Sequence, residues 1–213
     1  ANASGSAAIA LGEGARAEAG NAISLGNSAE CLTSDSIVIG NGCNTSSGPS
    51  ITIGRNSSAN GSVSTAMGNS AQVSADQSIG ISGENCTITA GSSRSVVLGR
   101  QARSEAQNAI SIGNFARVTS GGTNSICMSS SALVQSDVSG SNSLVLTPGE
   151  YGGVTTQAHA IILGSSTLGG SAVQSEAGIA IGRDAVVAAS ADGAVALGSG
   201  VTASTSNTTT VAM

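Results

Sequence analysis

A short phrase recurs along the whole chain, and its spacing constrains the fold more than any other feature. It reads AIALG at Ala8–Gly12, AISLG at Ala22–Gly26, SIVIG at Ser36–Gly40, SITIG at Ser50–Gly54 and STAMG at Ser64–Gly68. It returns as SVVLG at Ser95–Gly99, AISIG at Ala109–Gly113, AIILG at Ala160–Gly164, GIAIG at Gly178–Gly182 and AVALG at Ala194–Gly198. SICMS at Ser125–Ser129 and SLVLT at Ser143–Thr147 are the same phrase without its glycine. The first five closing glycines fall 14 residues apart, and later spacings stretch to between 14 and 18. A period this short means one supersecondary unit stacked on copies of itself, an elongated scaffold.

Within the phrase, apolar residues alternate with small ones, as in Ile9-Ala10-Leu11 and Ile51-Thr52-Ile53. That is the period of a strand. Glycine then ends the strand where a turn needs permissive backbone. A second alternating segment follows, with small residues three and five places on: Ala15 and Ala17, Ala29 and Cys31, Cys43 and Thr45, Ser57 and Ala59. Asn27, Asn41, Asn69 and Asn114 follow closing glycines, as suits a turn residue. Two strands and two tight turns per period make a flattened coil. Its interior is expected to set Ile and Leu of the phrase against Ala, Ser and Cys of the second segment, large against small. Amphipathic helices are excluded by the period of two and the frequent glycines.

The expected fold is therefore all-β, a repetitive parallel β-roll of about 13–14 coils with two short strands each. It forms one repeat domain over 1–213, with regular coils over 1–77 and longer connections over 78–213. Around Ser78–Gly91 one extra residue, read as a bulge, reconciles the pattern. The spaced aliphatics argue against disorder, despite a chain rich in Gly, Ala and Ser with no Trp and a single Phe and Tyr. The net charge of −5 and scattered arginines give no basic patch, so nucleic acid is not an expected partner. No apolar run reaches membrane-spanning length, so no direct membrane insertion is expected. No signal peptide is recognisable, which decides nothing about compartment.

The middle residue of each phrase is expected to point away from the coil interior. It reads Ala10, Ser24, Val38, Thr52, Ala66, Val97, Ser111, Cys127, Val145, Ile162, Ala180 and Ala196, with no charge among them. Such a face is best read as a subunit interface; the plainer reading is a neutral solvent face.

At these residues the chain resembles the YadA-like head domain of trimeric autotransporter adhesins. That family repeats a unit of the form xAIxIGxxAxAxG, seen here at Ala8–Gly20 as AIALGEGARAEAG. The resemblance runs over essentially the whole chain. It implies a left-handed parallel β-roll, three of which associate around an axis with the phrase strand inside, and an extracellular adhesive surface. Similar rolls occur in phage and viral fibres.

Little in the chain points to catalysis. Cys31, Cys43, Cys86 and Cys127 sit where sibling coils carry small residues and lack CxxC spacing, so they read as buried fillers rather than a disulfide framework or metal ligands. His159, the single histidine, lies near Glu150 and Tyr151 in a long connection, with no GxSxG elbow anywhere. Carboxylates such as Glu13, Glu18 and Glu30 are spread along the coils. No enzymatic activity, cofactor or metal is expected. Six Asn-x-Ser/Thr sequons are what chance gives in so Ser/Thr-rich a chain.

Specific contacts are expected from the longer connections Thr119–Asn124, Ser136–Asn142, Pro148–His159 and Leu168–Ala177. The partner-binding candidates there are Glu150, Tyr151 and His159; the plainer reading of Tyr151 is a turn residue packing on its own coil. The terminal residues Ala1, Asn2, Ala3, Thr210, Val211 and Met213 resemble complementary halves of a coil, suggesting an end-to-end joint. The functional expectation is a non-enzymatic structural or adhesive protein, a homotrimer at a cell or virion surface, meeting itself and a host matrix protein or glycan. The alternative is the subunit of a head-to-tail extracellular filament, or a phage or viral fibre segment.

Overall fold

In a computed structural model, which describes residues 1–130, 136–148, 154–155, 157–164 and 172–212, each phrase is a strand of three or four residues. Each following segment is a return strand of two or three. The described residues include no helix. The chain is an all-β parallel solenoid of about 14 stacked turns with two short strands per turn.

It divides into two compact units, Ala1–Gln101 and Ala102–Met213. In the first, phrase strands from Ile9–Leu11 to Val96–Leu98 form one sheet, and return strands from Asn2–Ala3 to Thr87–Ile88 form the other. Each strand pairs in parallel with its counterpart one turn on, so Ile9 lies beside Ile23 and Arg16 beside Glu30. The second unit repeats the plan, with phrase strands from Ile110–Gly113 to Thr209–Val211 and return strands from Arg103–Ser104 to Thr202–Ala203.

Two local expectations are corrected. The extra residue after Ser78 makes no bulge inside a strand: Gly68 still pairs with Ser82, and the added residue falls in the corner before Thr87. Three of the long connections also contain the return strands of their own coils, Ser136–Val138, Val154–Thr155 and Ala172–Val173.

The larger correction concerns which side of the phrase faces in. Ser24, Val38, Thr52, Ala66, Val97, Ser111, Cys127, Val145, Ile162, Ala180 and Ala196 are fully buried inside the coil, and Ala10 partly so. These residues, expected on the outward face, are the core. The flanking Ile and Leu point out. The small return-strand residues do face inward as expected, with Ala15, Ala17, Cys31, Thr45 and Val73 all buried. A phrase strand of three residues between two tight corners points only its middle Cβ inward, so the interior takes Ala, Ser, Cys and Val rather than a pair of Ile per coil.

The corners explain the rest of the period. Gly26, Gly40 and Gly54 hold φ of 134–138°, and a Cβ on Gly40 would collide with the carbonyl of Gly54. Glycine is thus required twice over, by its backbone and by the next coil. Where it is missing, the residue in its place turns a hydroxyl inward. Ser129 and Thr147 are buried there, and the Ser136 hydroxyl meets both, at 2.7 and 2.9 Å.

The residue just before the phrase solves a related problem. Ser50 donates its hydroxyl to the Gly61 carbonyl one coil on (2.9 Å) and accepts the Ser64 amide (3.3 Å). Its own amide is bonded to the Ser36 hydroxyl (3.0 Å). Where Ala stands instead, as at Ala22, the amide closes a turn onto Ala19. Either way a buried backbone donor is satisfied.

Candidate functional site

The outer face of the phrase sheet carries two rows of large aliphatics. In the first unit one row runs Ile9, Ile23, Ile37, Ile51, Thr65, Ile79, Val96, and the other Leu11, Leu25, Ile39, Ile53, Met67, Ile81, Leu98. The second unit continues the pattern with Ile110, Ile126, Leu144 and Ile112, Met128, Leu146. No charged residue enters either row. Ile9, Leu11, Ile39, Ile51, Ile81 and Met128 are exposed, Leu11 by 69%. A shallow, nearly apolar groove runs along Ile112, Met128 and Leu146 to Pro148. Contiguous apolar surface of this kind marks an interaction face.

In the first unit the return sheet is the opposite in character. Its outward row begins Arg16, Glu30, Asn44, Ser58, Gln72. Arg16 bridges Glu18 at 2.7 Å and Glu30 at 3.1 Å, which raises its pKa further. In the second unit Glu105 accepts from both Arg103 (2.8 Å) and Arg117 (2.7 Å). Asp137 follows Arg117 along the ladder. Burial pushes its carboxyl up, Arg117 opposes this, and Glu105 adds to it. Between Glu30 and Gln72 lies a polar groove lined also by Gly42, Cys43 and Asn44.

The corners carry side-chain ladders. Asn108 donates to Asn124 (2.8 Å) and Asn124 to Asn142 (3.1 Å). Asn142 reaches His159 (3.4 Å), whose Nδ1 lies 3.8 Å from Glu176. His159 is thus one rung of an exposed ladder, with φ 59° at its corner. Its companion candidates Glu150 and Tyr151 lie outside the described residues, as does Met213. Asn2–Ala3 pairs with Arg16–Ala17, and Thr209–Val211 with Val195–Leu197.

All four cysteines are unpaired and buried. Cys31 donates to the Ser36 carbonyl at 3.3 Å and Cys127 to that of Ser136 at 3.4 Å. Burial pushes the Cys127 thiol up to about 12 and that of Cys86 up to about 11. Such thiols are core filling rather than nucleophiles. Among the described residues no three His, Cys, Asp or Glu side chains gather around a point that fits a metal ion.

Fold and faces together define a repeat protein, a parallel β-solenoid with an aliphatic outer face on the phrase sheet and, in the first unit, a polar one on the return sheet; in the second unit the return row runs on through Val154, Ala172 and Val186. No protein-family model matches the chain, and no curated protein matches its sequence.

Proposed function

We propose that this chain is a non-enzymatic, extracellular structural or adhesive protein that works as a homotrimer, in the manner of the YadA-like heads its repeat resembles. The observation that carries the reading is the uncharged double row of Ile, Leu and Met on the outer side of the phrase sheet. An exposed aliphatic sheet face is a liability in a monomer and an asset in an assembly. A second copy of the same chain matches it best, because only the same repeat keeps the same spacing along the rows. The phrase strand is then the inner strand of the trimer, as in the family, but the contacts are the flanking Ile and Leu rather than the middle residues. The return sheets remain outside, and the polar row of the first unit forms the adhesive surface.

A binding screen of the purified protein against matrix proteins, glycans and cells tests the adhesive role. The expected result is saturable binding to at least one of them. Protein that binds none of them would contradict adhesion and leave a purely structural role.

A further inference from the structure

The polar groove on the return sheet of the first unit has no assigned role. Gly42, Glu30, Asn44, Asn56, Asn60 and Gln72 line it, and a Cβ on Gly42 would lie 2.8 Å from Asn56 Oδ1. Asn44 sits at its centre, pointing out because its neighbour Thr45 points in. The wall groups are held in place by their own bonds. Asn60 accepts from Ser46 (2.8 Å), the Gln72 amide donates to the Asn56 carbonyl (3.0 Å), and Glu30 is tied to Arg16 (3.1 Å). No group among the described residues hydrogen-bonds the Asn44 side-chain amide, which leaves its donors and acceptor open to the groove.

We propose that this groove binds a neutral saccharide chain, with the Asn44 amide as its central contact. The lining is almost wholly amide, hydroxyl and carboxylate. Amides and hydroxyls both donate and accept, and this matches sugar hydroxyls, which do the same. Anionic ligands are disfavoured by Glu30, whose Arg16 partner is shared with Glu18. A divalent cation wants several oxygen ligands with more than one carboxylate, and Glu30 stands alone. Apolar peptide side chains would find nothing to bury against. Strands in the sheet step by about 4.8 Å, so Glu30 and Asn44 present polar groups at an interval comparable to one hexose ring, while Ser58 is buried and its hydroxyl donates to Gln72. The groove lies on the sheet opposite the aliphatic face, so assembly through that face leaves it open. With no aromatic ring in its lining, the site is weak for a single chain and gains from several copies in one assembly.

This inference rests on reading the return sheet as an adhesive surface. Its test is saturation-transfer NMR and calorimetry of the whole chain with neutral hexasaccharides of glucose, mannose, galactose and N-acetylglucosamine. The comparison is Asn44→Arg, which fills the groove yet is compatible with the fold because Arg16 stands in the same row. A second variant, Gln72→Ala, removes one wall. At least one hexasaccharide is expected to bind the wild type, and Asn44→Arg to weaken it about tenfold or more. No binding by the wild type, or equal binding by Asn44→Arg with unchanged circular dichroism, overturns the proposal. Subunit mass measured on the same samples separates the two readings. A trimer that ignores every sugar refutes the groove alone, while a monomer that binds through Asn44 refutes the assembly alone.

Discussion

Val63 holds a left-handed backbone, φ 55°, at a corner where sibling coils place Asn21, Asp35, Asn108, Asn124 and Asn142. A β-branched residue resists that conformation, whereas Asn tolerates it. Val63 is also largely exposed, so little packing is lost by replacing it. Val63→Asn is expected to stabilise the chain by about 1 kcal/mol, read as a higher denaturation midpoint. The serine zipper makes the opposite prediction. Ser50 satisfies one carbonyl and one amide of the next coil, and Ala cannot. Ser50→Ala is expected to cost about 1–2 kcal/mol, measured by urea unfolding. The same corner logic places the left-handed residue two places after the closing glycine, as at Ser28, Asn56 and Ser70, not one. Asn27 and Asn41 serve instead as rungs, with Asn41 donating to Asn27 at 3.2 Å.

At the scale of one coil, volume is balanced across the interior. Gly80 is the smallest middle residue of any phrase, and a Cβ there would lie 2.6 Å from Val73 Cγ2 and 3.2 Å from Cys86 Sγ. The space goes to Ile88, with Ile162 one of the two largest fully buried side chains among the described residues. Gly80→Ala is expected to destabilise the chain by about 1–3 kcal/mol through overpacking. Adding Val73→Ala should recover part of that loss, and a double-mutant cycle measures the coupling. Period, strand count per coil and inward return residues were all legible in the sequence, because alternation and spacing are written in residue types. The facing of the phrase was not. Alternation separates two faces without saying which is inside, and Ile is the usual choice for a core. What reverses it is the thin interior left by two tight corners, and those corners depend on backbone approach at Gly40 and its siblings. The middle residues of the phrase were therefore assigned to the wrong face. The uniform smallness of the middle residues was the available signal.

For the whole molecule, the buried thiols link stability to pH. In the unfolded chain a thiol ionises near 9, while in the fold Cys127 stays protonated up to about 12 and Cys86 up to about 11. Below pH 9 both states hold the proton and the contribution is complete. Above it the unfolded chain alone releases protons, so stability falls as pH rises from about 9 towards 12. Cys127→Ala is expected to flatten part of that slope in urea titrations at successive pH values. Assembly is the other property of this scale. In the proposed trimer, burial of the aliphatic rows between copies supplies the driving force. Sedimentation equilibrium tests this most directly, on the wild type and on Ile39→Lys/Ile112→Lys, two substitutions that put charge on the outward rows. The prediction is a wild-type mass three times that of the chain and a shift towards single chains in the variant. A folded, soluble wild-type monomer at every concentration would contradict it.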